Sequence, residues 1–108
     1  MTEAQITRAV IAHWKVAGKP GSLVASLPNM GAMGQYGLTK GLPDLLVLAP
    51  GLPVGFIELK SAKGKPTAEQ LVFANLCQAA GVPHRITFGR DEPIRVLEEW
   101  GVVRRAAA

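Results

Sequence analysis

The sequence of 108 residues predicts an α/β (α+β) fold in which helices flank a central mixed β-sheet, in the order α-β-β-β-α-β-α. Three segments show helical periodicity, and two of them open with the same capping signature. Four short apolar runs lie between these segments and have the length of strands. The hydrophobic fraction of 48% supports a folded core, and the length fits one domain, which we expect to span residues 1–108.

The first helix is predicted over residues 2–17. Thr2 and Gln5 match a capping box, in which each side chain bonds the backbone N–H of the other residue. Apolar residues then recur at helical spacing, and Gly18 is a suitable C-terminal stop. Residues 22–27, SLVASL, predict a short strand.

A glycine-rich loop and a hairpin are predicted to follow. Residues 28–41, PNMGAMGQYGLTKG, contain four glycines and therefore predict a long loop rather than a helix or a central strand. Residues 44–49 and 54–60 predict two strands joined by the turn PGLP at 50–53. Pro43 suits the first position of a strand, where no ladder N–H is lost.

The second helix is predicted over residues 67–80. Thr67 and Gln70 again match a capping box, and Gly81 is placed to end the helix. Residues 83–88, PHRITF, predict a further strand.

The last helix is predicted to begin at a cap formed by Asp91, with Pro93 in its first turn. Ile94, Leu97 and Trp100 recur at helical spacing and should form its buried side. The sequence shows no sign of a second domain.

Composition narrows the class of protein. The formal net charge of +4 suits an anionic partner such as nucleic acid. A single cysteine excludes an internal disulfide and a zinc site built from cysteines, and it fits a reducing compartment. The N-terminus lacks the apolar core of a signal peptide, and no apolar run approaches the roughly 20 residues of a membrane helix. We therefore expect a cytoplasmic protein.

Charged residues close the two most apolar strands, within GLPDLLVLAPGLPVGFIELKSAKGK at 41–65. Buried charge is costly unless it is paired, hydrogen-bonded or bound to metal. One hairpin register puts Asp44 opposite Leu59, and a tighter turn puts it opposite Glu58. Both registers bring the two carboxylates to the same end of the sheet, and strand alternation puts Lys60 on the same face as Glu58.

Neighbouring carboxylates repel each other unless a cation lies between them. Oxygen ligands favour Mg²⁺ or Mn²⁺, and the backbone carbonyl of Leu59 could supply a further ligand beside Asp44 and Glu58. The ammonium of Lys60 could orient an attacking water and stabilise developing negative charge. Two carboxylates that bind a divalent metal, with a lysine beside them, predict hydrolysis of a phosphodiester.

The strings GLPDLLVL and GFIELK resemble the PD-(D/E)XK nuclease signature, and the flanking PNMGA and SAKGKPTAEQ resemble its VRR-NUC (virus-type replication-repair nuclease) branch. The resemblance implies a restriction-endonuclease-like fold. It implies that Asp44 and Glu58 bind the metal and that Lys60 is catalytic. It also implies that Glu3 in the first helix and Gln70 at the start of the second helix assist catalysis. For the last two, a structural role remains open, because first-turn acids favour the helix dipole and Gln70 completes a capping box.

The resemblance also implies a biological setting. Members of this branch suggest an Mg²⁺- or Mn²⁺-dependent DNA endonuclease that acts on branched DNA, such as flaps or four-way junctions, in replication, repair or recombination. Free-standing members this short resemble phage or prophage proteins, so we expect this chain to act inside a bacterial host cell. We also expect a homodimer, and neither a membrane partner nor an organic cofactor. The alternatives are a catalytically silent nucleic-acid-binding module of the same fold and a structural or toxin-neutralising partner. The intact acidic and basic residues argue against both.

Several residues outside this motif could contact the DNA backbone. A lysine beside a phosphodiester site favours phosphate contact, although a solvated loop would look the same. The predicted contact residues are Lys40, Lys63, Lys65, Asn29, Gln35 and Tyr36.

Overall fold

The computed structural model describes residues 1–28 and 40–106. Its elements confirm the predicted order α-β-β-β-α-β-α, and most of their bounds lie within two residues of the predicted ones. The prediction of a loop at 28–41 lies mostly outside the described residues. The elements are α1 (Glu3–Ala17), β1 (Leu23–Ser26), β2 (Leu45–Ala49), β3 (Leu52–Lys60), α2 (Ala68–Ala80), β4 (His84–Phe88) and α3 (Asp91–Glu99).

The four strands form one mixed sheet in the order β1-β2-β3-β4. The β1–β2 and β2–β3 pairs are antiparallel, whereas β3 and β4 are parallel and are joined through α2. A parallel pair needs such a crossover, because its two strands run in the same direction. Within the described residues, no helix combines the length and the apolar character that a membrane span requires.

The main core lies between one face of the sheet and the helices α1 and α3. Ile57 and Leu59 of β3 are fully buried there, together with Ile6 of α1 and Leu97 of α3. Helix α2 covers the opposite face, where the ring of Phe73 meets the ring of Phe56 edge-on at 5.4 Å between centroids. Because successive strand residues alternate in direction, Glu58 and Lys60 project on the same face as Phe56.

The hairpin is tighter than the predicted one. Strand β3 begins at Leu52 rather than at residue 54, so the turn consists of Pro50 and Gly51, and Gly51 takes a φ of 82° that glycine adopts readily. The pairing of Leu45 with Ile57 corresponds to the register that aims Asp44 toward Glu58. A shift in register before the turn absorbs the remaining residues of β3.

Both predicted capping boxes are present, at Thr2 of α1 and at Thr67 of α2. Gly81 ends α2 in the left-handed conformation, as expected for a glycine at that position. Gly18 ends α1 for another reason, because its φ is −62°. A Cβ atom there would lie 2.5 Å from the carbonyl oxygen of Trp14, so glycine is required by close approach.

The predicted cap of the last helix is wrong. Helix α3 begins at Asp91, and its N-cap is Arg90, which makes no capping hydrogen bond through its side chain. The Asp91 carboxylate instead accepts hydrogen bonds from the Arg90 guanidinium at 3.0 and 3.1 Å. Asp91 still complements the helix dipole from the first turn, so it marks the start of the helix without capping it.

Candidate active site

Three carboxylates meet where α1, β2 and β3 come together. Glu3 lies in the first turn of α1, Asp44 directly precedes β2, and Glu58 lies near the end of β3. One carboxylate oxygen from each residue lies within 4.8 Å of the others, which is close enough for one cation to contact all three. The structure thus brings together three residues that are 14 to 55 positions apart in the sequence, two from the motif and Glu3 from the first helix.

Asp44 is held at the end of the sheet by hydrogen bonds on two sides. Its Oδ2 atom accepts a bond of 2.7 Å from the backbone N–H of Leu59, and its carbonyl accepts one of 2.7 Å from the N–H of Leu27. Both backbone groups of a residue in an antiparallel ladder face the same neighbouring strand, so the Leu59 carbonyl also faces the Asp44 side. This orientation agrees with the predicted use of that carbonyl as a ligand.

Gly41 fixes the approach of the chain to Asp44. Its φ is 87°, and a Cβ atom would lie 2.5 Å from the carbonyl carbon and oxygen of Glu69 in the first turn of α2. Glycine therefore allows the chain to pass against α2 three residues before the carboxylate. Pro43, which is buried, then leads into the strand. The glycine of GLPD thus has a packing role that sequence alone did not reveal.

Glu58 is a buried carboxyl group, and one of its oxygens has no hydrogen-bond partner among the described residues. The residue is 2% exposed, and its Oε1 atom makes no hydrogen bond with any described residue. Its pKa is raised to about 8, chiefly by burial and then by the neighbouring Asp44, while Lys60 acts in the opposite direction. Without a cation, the group is therefore largely protonated at neutral pH. A bound divalent cation would keep it ionised, because opposite charge favours the charged form.

Lys60 lies beside Glu58 and is also buried. Its Nζ atom is 3.5 Å from Glu58 Oε2, and only 6% of the residue is exposed. Strand β4 holds this end of β3, since the Thr87 hydroxyl donates to the Glu58 carbonyl and the Gly89 N–H donates to the Lys60 carbonyl. The ammonium is thus fixed at the edge of the carboxylate cluster.

Gln70 has two roles in the structure. Its Oε1 atom accepts a hydrogen bond of 2.9 Å from the Thr67 N–H, so the capping box is real. The same side chain also lines the cleft that contains Asp44 and Glu58. A structural role in the capping box and a supporting role at the site are therefore compatible for Gln70.

The carboxylates lie in a cleft of about 570 Å³ between α1, the ends of β1 and β2, and the start of α2. Thr7 and Arg8 of α1 also line it, and sequence reasoning missed both. Thr7 is four residues after Glu3, so helical spacing alone places it on the same side of α1. Lys60 is buried and does not line the cleft itself, but its ammonium lies 3.5 Å from Glu58, which does.

The predicted DNA contacts lie elsewhere. Lys63 and Lys65, on the loop between β3 and α2, and Lys40 are exposed and do not line the cleft. Their exposure suits phosphate contact. Asn29, Gln35 and Tyr36 lie outside the described residues.

Two solved structures share this arrangement of elements. A "VRR_NUC domain" structure is 24% identical and has a TM-score of 0.65, over 92% of this chain and 97% of that one. A "VRR_NUC domain protein" is 20% identical and has a TM-score of 0.79, over 93% of this chain and 88% of that one. The chain has the VRR_NUC fold. The fold that the motif resemblance implied is therefore confirmed. No family model and no curated protein sequence matches this chain.

Proposed function

We propose that this VRR_NUC-fold protein is a divalent-metal-dependent nuclease that hydrolyses DNA phosphodiester bonds. The observation that carries the proposal is the convergence of Glu3, Asp44 and Glu58, with an unpaired buried oxygen on Glu58 and the ammonium of Lys60 beside it. Ionised carboxylates this close repel each other, so the cluster indicates a cation that completes the site. The sequence motif and the fold support the same reading.

The donor set fits Mg²⁺ or Mn²⁺. Carboxylate and carbonyl oxygens suit these ions, and the proposed ligands are Asp44, Glu58 and the Leu59 carbonyl, with Glu3 at the exposed mouth of the cleft. When bound, the ion would act as a Lewis acid toward the phosphodiester and the attacking water. No organic cofactor is needed for this reaction.

The protein's own side chains would orient the reactants. The Lys60 ammonium, 3.5 Å from Glu58 Oε2, would donate a hydrogen bond to water held at the carboxylates or stabilise negative charge that develops there. Gln70 can donate through its amide nitrogen, because its Oε1 atom is occupied by the cap. Glu3 can accept a hydrogen bond from water at the mouth. These roles for Lys60, Gln70 and Glu3 are proposals.

The proposed substrate is DNA, and branched forms such as flaps and four-way junctions are the preferred candidates. The net charge of +4 favours binding to a polyanion, with Lys40, Lys63 and Lys65 as exposed phosphate contacts. We propose that residues 1–108 form one nuclease domain and that it works as a homodimer, since cutting two strands calls for two active sites. Processing of DNA during replication, repair or recombination would follow from such a substrate.

A cleavage panel tests this proposal. Single strands, duplexes, flaps and four-way junctions are incubated with the protein and Mg²⁺ or Mn²⁺, and products are resolved by electrophoresis. We expect metal-dependent cleavage of at least one DNA, lost on chelation and in Asp44→Asn. Asp91→Asn is the matched control, because that aspartate is exposed, pairs with Arg90 and does not line the cleft. Cleavage by Asp44→Asn would contradict the site, and metal binding without cleavage of any DNA would favour the silent binding module.

A further inference from the structure

Arg8 supplies a cation to the cleft that the sequence motif does not include. It lies on α1, and its side chain lines the same cleft as Glu3, Asp44 and Glu58. Among the described residues that line this cleft, it is the one with a cationic side chain. The cleft surface is otherwise dominated electrostatically by carboxylates.

The Arg8 guanidinium is also available to a ligand. The residue is exposed, and it makes no ion pair with the other described residues. The neighbouring hydroxyl of Thr7 is committed, because it donates to the Glu3 carbonyl at 3.0 Å. The Lys60 ammonium is buried against Glu58. Arg8 is therefore the side chain on this wall of the cleft that can meet an incoming anion from the solvent side.

A phosphodiester that enters a carboxylate-lined cleft is repelled unless cations offset the carboxylate charge. A guanidinium presents a planar fork of N–H donors that matches two phosphate oxygens. Arg8 follows Glu3 by five residues, which corresponds to about 7.5 Å along the helix axis. This offset, together with its exposure, separates it from the carboxylate cluster and suits a phosphate beside the one being cut.

We propose that Arg8 binds a backbone phosphate adjacent to the scissile one and thereby holds the strand in register with the carboxylate cluster. The inference rests on the proposed nuclease function and adds a specific contact to it. It assigns α1 as one wall of the DNA-binding site. It predicts that one phosphate position of the substrate depends on Arg8.

The test compares Arg8→Ala and Arg8→Lys with Arg95→Ala, which removes the same charge from an exposed position on α3. Arg8→Ala should raise KM about tenfold or more with kcat nearly unchanged, and Arg8→Lys should recover part of the loss. Arg95→Ala should behave like the wild type. Equal effects of Arg8→Ala and Arg95→Ala, or a loss confined to kcat, would overturn the proposal.

A second readout separates this inference from the nuclease proposal. DNA binding is measured in the Asp44→Asn background, where cleavage is not required. Adding Arg8→Ala should lower the slope of log K against log salt by about 0.9, one phosphate contact. A DNA series with single methylphosphonate linkages should show one position that weakens binding when Arg8 is present and not when it is absent. Additive losses at every position would overturn the assignment even if the protein cuts DNA.

Discussion

At the residue scale, Glu58 links metal binding to pH. Its pKa is raised to about 8, chiefly by burial. Between the usual glutamate pKa and about pH 8, the folded, metal-free protein therefore keeps a proton on Glu58 that the unfolded chain has released. The resulting stabilisation is complete below the unfolded pKa and is lost as the pH rises through the folded pKa. A divalent cation replaces the proton and should reverse this trend.

We therefore predict that the melting temperature of the chelator-treated protein falls as the pH rises from about 5 to about 9. Glu58→Gln should flatten this dependence, because the amide keeps the shape of the side chain and does not titrate. Thermal unfolding followed by circular dichroism measures both. Glu69→Gln removes an exposed carboxylate near the cleft and should keep the wild-type slope. Parallel pH profiles for wild type and Glu58→Gln would show that the buried carboxyl does not control stability.

Lys60 separates catalysis from electrostatic attraction. Lys60→Ala should reduce turnover by about 100-fold or more at saturating metal, because a fixed donor to the reacting groups is lost. DNA binding should weaken little, with a change in the salt slope of at most about 0.9. Lys63→Ala and Lys65→Ala should do the reverse, since both side chains are exposed outside the cleft. If excess DNA restored the rate of all three variants alike, Lys60 would be one more phosphate contact.

At the element scale, the start of α2 both stabilises the helix, through its capping box, and contributes Gln70 to the cleft. Thr67→Ala removes one half of the capping box and should cost about 1 kcal/mol of unfolding free energy while leaving turnover unchanged. Gln70→Glu keeps an acceptor for the Thr67 N–H but replaces the amide donor in the cleft with a negative charge. It should hold stability within about 1 kcal/mol and lower turnover. Chemical unfolding and single-turnover rates distinguish the two effects, and normal turnover in Gln70→Glu would reduce this residue to a cap.

The elements that could be predicted from sequence are those with local signals. Helices α1 and α2 carry capping boxes within four residues, and Asp44, Glu58 and Lys60 form a spaced motif. The hairpin turn was misjudged, because its length depends on a register shift before the turn that only the pairing reveals.

Non-local contacts explain what sequence analysis missed. The need for glycine at position 41 arises from contact with Glu69, which lies in another element. Arg8 belongs to the cleft only because α1 packs beside the ends of β1 and β2. Gly41 stands in the motif string, but its contact with Glu69 and the place of Arg8 in the cleft follow from no periodicity or motif, so both required the assembled fold.

At the scale of the whole molecule, helix α2 leaves apolar side chains uncovered. Val72 and Leu76 are 58% and 63% exposed, and their spacing of four residues places them on one side of the helix. A two-fold dimer uses the same surface of both copies, which makes this stripe a suitable contact for the proposed homodimer.

We predict that light scattering coupled to gel filtration gives twice the chain mass of 11.4 kDa. Val72→Glu combined with Leu76→Glu should shift the protein to the monomer mass, because buried charge at a symmetric contact is repulsive. Val16→Glu is the control, since Val16 is an isolated side chain of α1 that is 80% exposed. A monomeric wild type, or a dimer that tolerates both glutamates, would contradict this assignment.

The proposed nuclease depends on a divalent cation bound by Asp44 and Glu58, with Glu3 beside it. Calorimetric titration with Mn²⁺ at about pH 8 tests it most directly, because it measures the site without requiring a substrate. We predict saturable binding by the wild type and by Glu69→Gln, loss of binding in Asp44→Asn and Glu58→Gln, and weakening in Glu3→Gln, whose carboxylate lies at the exposed edge of the cluster. Equal Mn²⁺ binding by the wild type, Asp44→Asn and Glu58→Gln would contradict the account.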